Sequence, residues 1–359
     1  MRLGVVLRGG PQVAVFLRAW LTRLACLAGL VLTVAACGGT GSSDGSNSAG
    51  SRERPLAEGL ALLPDEPELQ RHVLVGDLER LQRAYPTPRA RRAALAAVWL
   101  PDALVGAGGA LWRKSFGLRL DDVSSFASAG FHPAEVTVAE GEFSPAQIRG
   151  ALRRSGYRAA GRTSMRGADG SVDSSTVAGQ LSLSALNRIV ASPRRVTAAS
   201  TSELLRAAES SSQTLAADRD FAAAADALDP ITSAIVLDAT LVQPPSGVPT
   251  PILPAFPARL VAVGLDDLGP SSRTIKIALV YDSADEARAD AASIERDLPS
   301  TSLPGSRGAT FADLASEWRV TADDRAVLLT ASLPPSGKPG IWRSLVDRGD
   351  LAVLVRPGR

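Results

Sequence analysis

From residue 55 onward, runs rich in β-branched residues alternate with stretches whose apolar positions recur every three to four residues. The first pattern predicts strands and the second predicts amphipathic helices. Strands are predicted at residues 72–76, 135–139, 233–238, 259–264, 274–281, 318–321, 326–331 and 351–355. Helices are predicted at residues 89–100, 145–155, 201–210, 218–228, 283–298 and 341–347. Several of these helices begin with capping residues, such as Ser144 before Pro145 and Ser283 with Glu286.

Two pairs of predicted strands are separated only by short turn sequences. Residues 261–265 and 273–281 flank one turn, and residues 318–321 and 326–331 flank the other. Such hairpins pair their strands antiparallel. We therefore predict an α+β fold with antiparallel sheets and helices packed on one face.

The predicted folded domain spans residues 55–359, and two features bear on its division. Residues 136–157 and 277–298 both run strand, short turn, helix, which allows two similar subdomains. The proline-rich stretch 243–257 cannot continue a strand or a helix. It is either a boundary between subdomains or a long surface loop within one domain.

The amino terminus has the pattern of an export signal. Residues 24–36 form an apolar run of 13 residues behind Arg23, too short for a membrane-spanning helix, which needs about 20. The run ends in Val34-Ala35-Ala36-Cys37, which resembles the lipobox of bacterial lipoproteins. The resemblance implies that residues 1–36 are a signal peptide and that Cys37 receives a diacylglyceryl group, with palmitate-type chains. Two acyl chains hold a protein stably on a membrane.

Residues 37–54 form a Gly/Ser-rich tether between this cysteine and the folded domain. The tract lacks large apolar side chains, so it cannot offset the entropy cost of ordering. Anchor and tether together predict a lipoprotein on the extracytoplasmic face of the cell membrane.

Composition narrows the choice of partners. The formal net charge of the 359 residues is +2, and four arginines with no acidic residue lie before Cys37. The mature chain therefore carries about two net negative charges, which does not favour nucleic-acid binding. The only cysteines are Cys26 and Cys37. The mature domain thus has no disulfide, no thiol catalysis and no cysteine-based zinc site.

Candidate catalytic residues are few. The only histidines are His72 and His132, neither within a metal-binding spacing, and each is predicted to be structural. A Ser-His-Asp arrangement is assembled in space, so sequence does not decide it. The one GxSxG match starts at Gly41 within the tether, where no strand precedes it. We expect no cofactor, no metal and no enzymatic activity.

Two further features have a functional and a structural interpretation. The acidic pairs beginning at Asp121, Asp266 and Asp323 resemble cation ligands, but turns and helix starts also favour aspartate. The most apolar mature segment, residues 98–111, is either the wall of a lipid-binding groove or a buried helix pair. We favour the structural interpretation for both.

Three segments are similar to a family of exported actinobacterial proteins. They are Gly141-Glu142-Phe143-Ser144-Pro145, residues 152–157, and residues 215–228 leading into 234–238. The high arginine and alanine content fits an actinobacterial source as well. The resemblance supports the fold and transfers no site.

These observations predict a membrane-anchored lipoprotein that binds or scaffolds a component of the cell envelope. An alternative is a ligand carrier or solute-binding lipoprotein with an apolar ligand. A second alternative is an envelope hydrolase.

Overall fold

The computed structural model describes residues 54–356, apart from 249, 270, 307 and 335–339. The predicted signal peptide, Cys37 and the tether up to residue 53 therefore lie outside the described residues. Within the described part, no helix combines the length and the apolar character needed to cross a bilayer.

In the described part of the chain, twelve strands form one sheet in which every neighbouring pair is antiparallel. They are β1 His72–Asp77, β2 Val123–Phe131, β3 Ala134–Gly141, β4 Arg158–Ala160, β5 Thr163–Met165, β6 Arg188–Ala191, β7 Arg195–Ala199, β8 Ser233–Asp238, β9 Leu260–Asp267, β10 Arg273–Val280, β11 Ser316–Asp323 and β12 Ala326–Ser332. Their order across the sheet is β11-β12-β10-β9-β8-β1-β2-β3-β7-β6-β5-β4.

Eleven α-helices are present in the described residues. They are α1 Pro55–Leu60, α2 Leu78–Ala84, α3 Pro88–Ala94, α4 Ala110–Phe116, α5 Pro145–Arg154, α6 Val177–Ser182, α7 Ser202–Ser210, α8 Arg219–Leu228, α9 Ala284–Asp297, α10 Phe311–Leu314 and α11 Ile341–Asp347. The predicted caps are in place, because Ser144 Oγ accepts from the Gln147 amide and Ser283 Oγ accepts from the Glu286 amide. The α+β fold with antiparallel pairing is confirmed.

Along the central strands of the sheet, the side chains alternate between two cores. In β1, Leu74 enters the main core while Val73 and Val75 enter the second core. Eight of the eleven described helices pack on the main core, as predicted for one face, and the structure adds a smaller layer of α1, α7 and α8 on the other. Both faces of the sheet are therefore covered.

Two local predictions differ from the structure. Residues 351–355 are the 3₁₀ helix Asp350–Leu354 rather than a strand. This apolar run is buried on all sides, and a short run of that kind shows no period that separates strand from helix. The helix predicted at 89–100 ends at Ala94 and continues as the 3₁₀ helix Leu95–Ala97.

The sheet consists of two halves with the same topology. In the first half, residues 72–199, β1 is followed by the hairpin β2–β3, helix α5 and the hairpin β6–β7. In the second half, residues 233–332, β8 is followed by the hairpin β9–β10, helix α9 and the hairpin β11–β12. Both halves have the strand order first, second, third, fifth, fourth, and the short hairpin β4–β5 is an addition to the first half.

The strand register relates the halves by a pseudo-twofold axis. Leu74 of β1 pairs with Ile235 of β8 at the seam between the halves. From Leu74 the row of paired residues runs through Ser128, Thr137, Ala198 and Ile189. From Ile235 it runs through Val263, Ile277, Leu329 and Val320. Residues at the same place in the two rows are structurally equivalent, so that Thr137 corresponds to Ile277 and Ala198 to Leu329. The other residues of each strand correspond at the same distance from these positions.

The proline-rich stretch 243–257 connects β8 to β9. These two strands are hydrogen-bonded neighbours, with Val236 opposite Ala262. The strands on either side of the stretch thus belong to the same half of the sheet.

Candidate functional site

Two adjoining openings lie where β3 ends and β2 begins in the first half. One has a volume of about 750 Å³ and the other of about 470 Å³, and both are lined by Asp122, Glu142 and Arg194. We call the combined opening the acidic cleft. Its charged lining residues are Glu79, Arg119, Asp121, Asp122, Glu140, Glu142 and Arg194. Five carboxylates thus face two guanidinium groups.

The close approach of two chain segments builds the floor of the acidic cleft. The Glu142 amide donates to the Asp122 carbonyl oxygen at 2.9 Å, and the Gly141 amide donates to the Arg194 carbonyl oxygen at 3.1 Å. A Cβ at Gly141 would lie 2.0 Å from the Asp122 carbonyl oxygen. Only glycine allows this approach without a shift of the backbone.

Most charges on the rim of the cleft have exposed partners. Arg195 contacts Glu140 at 2.8 Å, Arg83 contacts Glu79 at 3.1 Å, and Arg119 lies 3.5 Å from Asp121. Exposed pairs of this kind contribute less than about 1 kcal/mol each. They hold the rim loosely.

Three charged groups set the electrostatics of the floor. Burial raises the pKa of Asp122, with Arg119 opposing the shift and Asp121 adding to it. Within the described part of the chain, the side chains of Glu142 and Arg194 form no hydrogen bond or ion pair. These two side chains are the ones that an added ligand could engage without breaking a contact.

The equivalent corner of the second half is filled. Counting along the paired strands, Tyr281, Asp282 and Arg325 stand where Gly141, Glu142 and Arg194 stand in the first half. The Tyr281 amide donates to the Arg325 carbonyl oxygen at 2.9 Å, the counterpart of the bond from Gly141.

The Asp220 side chain from α8 closes this second corner. Asp220 pairs with Arg325, and both side chains are mostly buried, at 16% and 12% exposure. Asp220 also lies 3.7 Å from Arg259, and Arg219 lies 3.7 Å from Asp282. Tyr281 itself has no exposed surface.

His72 lies at the opposite end of the first half. It stacks on Phe131 with ring centroids 4.4 Å apart. Burial lowers the pKa of His72 to about 4, although a backbone hydrogen bond to Gly130 and the charge of Asp102 act in the other direction. The imidazole is therefore neutral at pH 7 and a weak base.

Glu135 shares this end of the first half with His72. It pairs with Gly130 across the β2–β3 hairpin, and one of its carboxyl oxygens is buried without a hydrogen bond. Burial, with the charge of Asp102 adding to it, raises the pKa of Glu135 to about 8. Sequence reasoning missed this group, because a glutamate at the start of a strand is ordinarily solvated.

His132 is paired with a serine. Its Nδ1 lies 2.6 Å from Ser184 Oγ, and the pair ties the β2–β3 turn to the segment after α6. Ser184 has no exposed surface, so a substrate carbonyl does not reach its hydroxyl in this conformation. Within the described residues, His132 has no carboxylate partner.

The apolar segment 98–111 mostly faces the main core. Val98, Leu104 and Ala107 are buried there, while Val105 and Leu111 are exposed. Their burial agrees with the structural interpretation, but the predicted helix pair is wrong, because residues 98–109 form turns and α4 begins only at Ala110.

The three acidic pairs have different environments. Asp266 contacts Arg80 at 2.8 Å, and Asp267 accepts a 2.8 Å hydrogen bond from the Tyr85 hydroxyl. Asp323 ends β11, and Asp324 follows in the turn with a φ of 46°. Only the pair beginning at Asp121 lines the acidic cleft. Among the described residues, no group of three or more acidic, histidine or cysteine side chains is arranged to hold a metal ion.

Sequence reasoning assigned the pair beginning at Asp121 to a turn or helix start and missed its neighbours; the structure places the pair in the 3₁₀ helix Leu120–Asp122. Glu140 and Glu142 flank Gly141 at the end of a strand, and this acidic-glycine-acidic pattern was the available signal. Glu79 and Arg194 carried no signal, because the pairing of β1, β2, β3 and β7 brings the ends of distant segments to the site.

Comparison with protein-family models, with curated proteins and with solved structures finds no match to this chain.

Proposed function

We propose that this protein is a lipid-anchored, extracytoplasmic binding module of the cell envelope, with the acidic cleft as its binding surface. The lipobox ending in Cys37 supports the anchor, and the tether up to residue 54 would let the domain move above the membrane. The partner carries positive charge where it enters the cleft, because carboxylates dominate the lining.

One observation carries the binding role. The same corner of the fold is filled by Tyr281 and by the mostly buried Asp220–Arg325 ion pair in the second half, and it is open in the first. The fold therefore does not require the opening. An open corner with unengaged Glu142 and Arg194 is what a binding surface needs.

A cationic peptide tests the cleft. Hexa-arginine should bind the purified mature protein with an affinity that falls as salt rises. Glu142→Gln and Asp122→Asn should each weaken binding several-fold, whereas the matched control Asp282→Asn should leave it unchanged because that carboxylate already has arginine partners. Equal effects of all three substitutions would show that binding is not at the cleft.

The anchor is tested separately. Mature protein should enter the detergent phase, and Cys37→Ala should release it from membranes or leave an unprocessed precursor, because two acyl chains dominate membrane affinity. Unchanged fractionation of that variant would refute the lipoprotein assignment.

A ligand carrier is the second candidate, and one opening favours it. A pocket of about 350 Å³ lies between the segment after β8 and α11, with Leu237, Leu241, Val242 and Leu351 in its lining. This volume falls within the range of small-molecule sites. Mass spectrometry of solvent extracts from purified protein should then show a stoichiometric apolar compound.

A hydrolase is the third candidate. Replacing His72 and His132 together by Gln should leave the phenotype of a complemented deletion strain intact if the domain only binds. A stable, correctly localised double variant that loses function would favour the hydrolase.

A further inference from the structure

The two outer edges of the sheet differ in length. At one edge, β4 has only three residues, and short edge strands protect a sheet against pairing with other chains. At the other edge, β11 has eight residues and pairs only with β12 among the described strands. The register with β12 is irregular between Ser316 and Arg319 and regular from Arg319 to Asp323. The regular stretch, residues 319–323, is therefore the part of this edge that another strand can pair with.

The equivalent edge of the first half already carries an added strand. Val320 of β11 corresponds to Ile189 of β6, because the two residues hold the same place in the central row of the sheet. On its outer side, Ile189 pairs with Ser164 of β5, which belongs to the hairpin added to the first half. The fold thus accepts an antiparallel strand at this position. In the second half, no described strand takes it.

An arginine at equivalent positions of β6 and β11 supports the comparison. In β6, the side chain of Arg188 is 4% exposed and lies 2.6 Å from Asp169. It also donates to the Arg166 carbonyl oxygen at 2.8 Å, so that Arg188 holds the segment that follows β5. In β11, Arg319 is exposed, and its side chain forms no hydrogen bond or ion pair within the described residues. By this comparison, a strand added beside β11 should bring a carboxylate to Arg319.

The hairpin turn determines which backbone groups of β11 face outward. Asp323 and Ala326 close a two-residue turn and therefore exchange hydrogen bonds with each other. Because hydrogen-bonded and non-hydrogen-bonded pairs alternate along an antiparallel ladder, the N–H and C=O groups of Val320 and Ala322 point away from β12. An antiparallel copy of β11 centred on Thr321 would set Val320 opposite Ala322 at both ends. Both outward-facing residues would then gain hydrogen bonds.

We propose that β11 pairs antiparallel with β11 of a second copy of this chain, with Thr321 on the twofold axis. This register sets Arg319 of each copy opposite Asp323 of the other, on the exposed face of the sheet. The Asp323 side chain is exposed and has no bonding partner in the part of the chain that the structure describes. Each copy thus supplies the carboxylate for the arginine of the other.

Charge disfavours the two neighbouring registers. Moving the twofold axis to the preceding residue sets Glu317 opposite Asp323, and moving it to the following residue sets Arg319 opposite Arg325. Like charges that face each other across paired strands are destabilising, whereas opposite charges are stabilising. The contact involves five residues from each copy, fewer than the roughly 20–30 of a stable complex. The dimer is therefore reversible, and a cross-link is needed to trap it.

Cysteine cross-linking tests the contact in cells that express the full chain. Thr321→Cys sets two cysteines opposite each other in a non-hydrogen-bonded pair, whose Cα atoms lie about 4.5 Å apart, within the range for a disulfide. Oxidation before lysis should then give a dimer on a non-reducing gel. Ala159→Cys, at an exposed position of β4, is the matched control and should give at least about tenfold less dimer. Equal yields from the two variants would overturn the proposal.

A charge exchange tests the register. In the Thr321→Cys background, Arg319→Asp or Asp323→Arg alone sets like charges opposite each other at both ends of the pair, and each should lower the dimer yield at least about tenfold. When the two variants are expressed together with different tags, they should form a mixed dimer, because each supplies the charge that the other lacks. Both positions are exposed, so the melting temperatures should not change. Single variants that cross-link as well as Thr321→Cys, or a mixture that stays monomeric, would refute this register and the proposal with it.

Discussion

The two halves of the sheet share a framework and differ at one corner. The second corner is closed by Tyr281 and by the ion pairs of α8, whereas the first corner has Gly141 and an open cleft. The sheet register on either side of the seam is the same. The comparison shows that strand pairing determines where a site can form, while a few residues at strand ends determine whether it is open.

The largest expected effect concerns the glycine of the open corner. Gly141→Ala should lower the free energy of unfolding by about 3 kcal/mol, because its Cβ would clash with the Asp122 carbonyl. Gly108→Ala is the matched control, since no atom lies within 4 Å of its added Cβ, and should change stability by less than about 0.5 kcal/mol. Urea denaturation measures both, and equal values would show that the corner tolerates a side chain.

The stability of the protein should depend more on the charged residues of the closed corner than on those of the open one. Asp220→Ala should cost about 2–3 kcal/mol, because it leaves the mostly buried Arg325 without its partner. Glu142→Ala should cost less than about 0.5 kcal/mol, because that side chain is exposed and unpaired within the described residues. Similar losses in thermal unfolding would mean that the first corner is also a structural ion-pair site.

A pH titration compares equivalent positions of β3 and β10, where Glu135 corresponds to Ile275. Because the folded pKa of Glu135 is about 8 and its ordinary value is 4.5, the folded state binds the proton more tightly. The contribution of Glu135 to the free energy of unfolding is therefore complete below pH 4.5 and is lost as pH rises towards 8. The loss should be about 2 kcal/mol for this half-buried side chain.

Glu135→Gln should remove this fall of stability with rising pH. His72 acts in the opposite direction, since its lowered pKa makes stability rise between pH 4 and 6.5. The window from pH 6.5 to 8 lies above the titration of His72, and an unchanged slope there in the Gln variant would disprove the assignment to Glu135.

The smallest effect comes from the central row of the sheet. Ser128 and Thr137 bond each other at 2.8 Å, where the second half has Val263 and Ile277. Ser128→Ala should lower the free energy of unfolding by about 1 kcal/mol, because the buried Thr137 hydroxyl loses one hydrogen-bond partner. Combining it with Thr137→Val should cost less than the sum of the single changes, as a double-mutant cycle would show.

The sequence predicted the parts of this fold that rest on local signals. Capping residues marked α5 and α9, and short turns marked the hairpins β9–β10 and β11–β12. The resemblance between residues 136–157 and 277–298 corresponds to equivalent strand-helix units in the structure. Local pattern is sufficient where neighbours in sequence decide the conformation.

The acidic cleft could not be predicted in this way. Glu79 follows β1, Asp122 precedes β2 and Arg194 precedes β7, and their proximity depends on which strands pair. The strand prediction for the buried run at residues 351–355 was wrong for a related reason. The tertiary surroundings of this run override its strand-like composition. The lipid anchor at Cys37 stays a prediction.

The seam between β1 and β8 has a consequence for how the protein responds to dilution. Each half ends there in a strand whose backbone groups need a partner, and Leu74 and Ile235 meet as they would in a symmetric dimer. Because one chain carries both halves, this pairing is intramolecular and has a fixed effective concentration. The assembled sheet should therefore persist at protein concentrations too low to sustain a dimer.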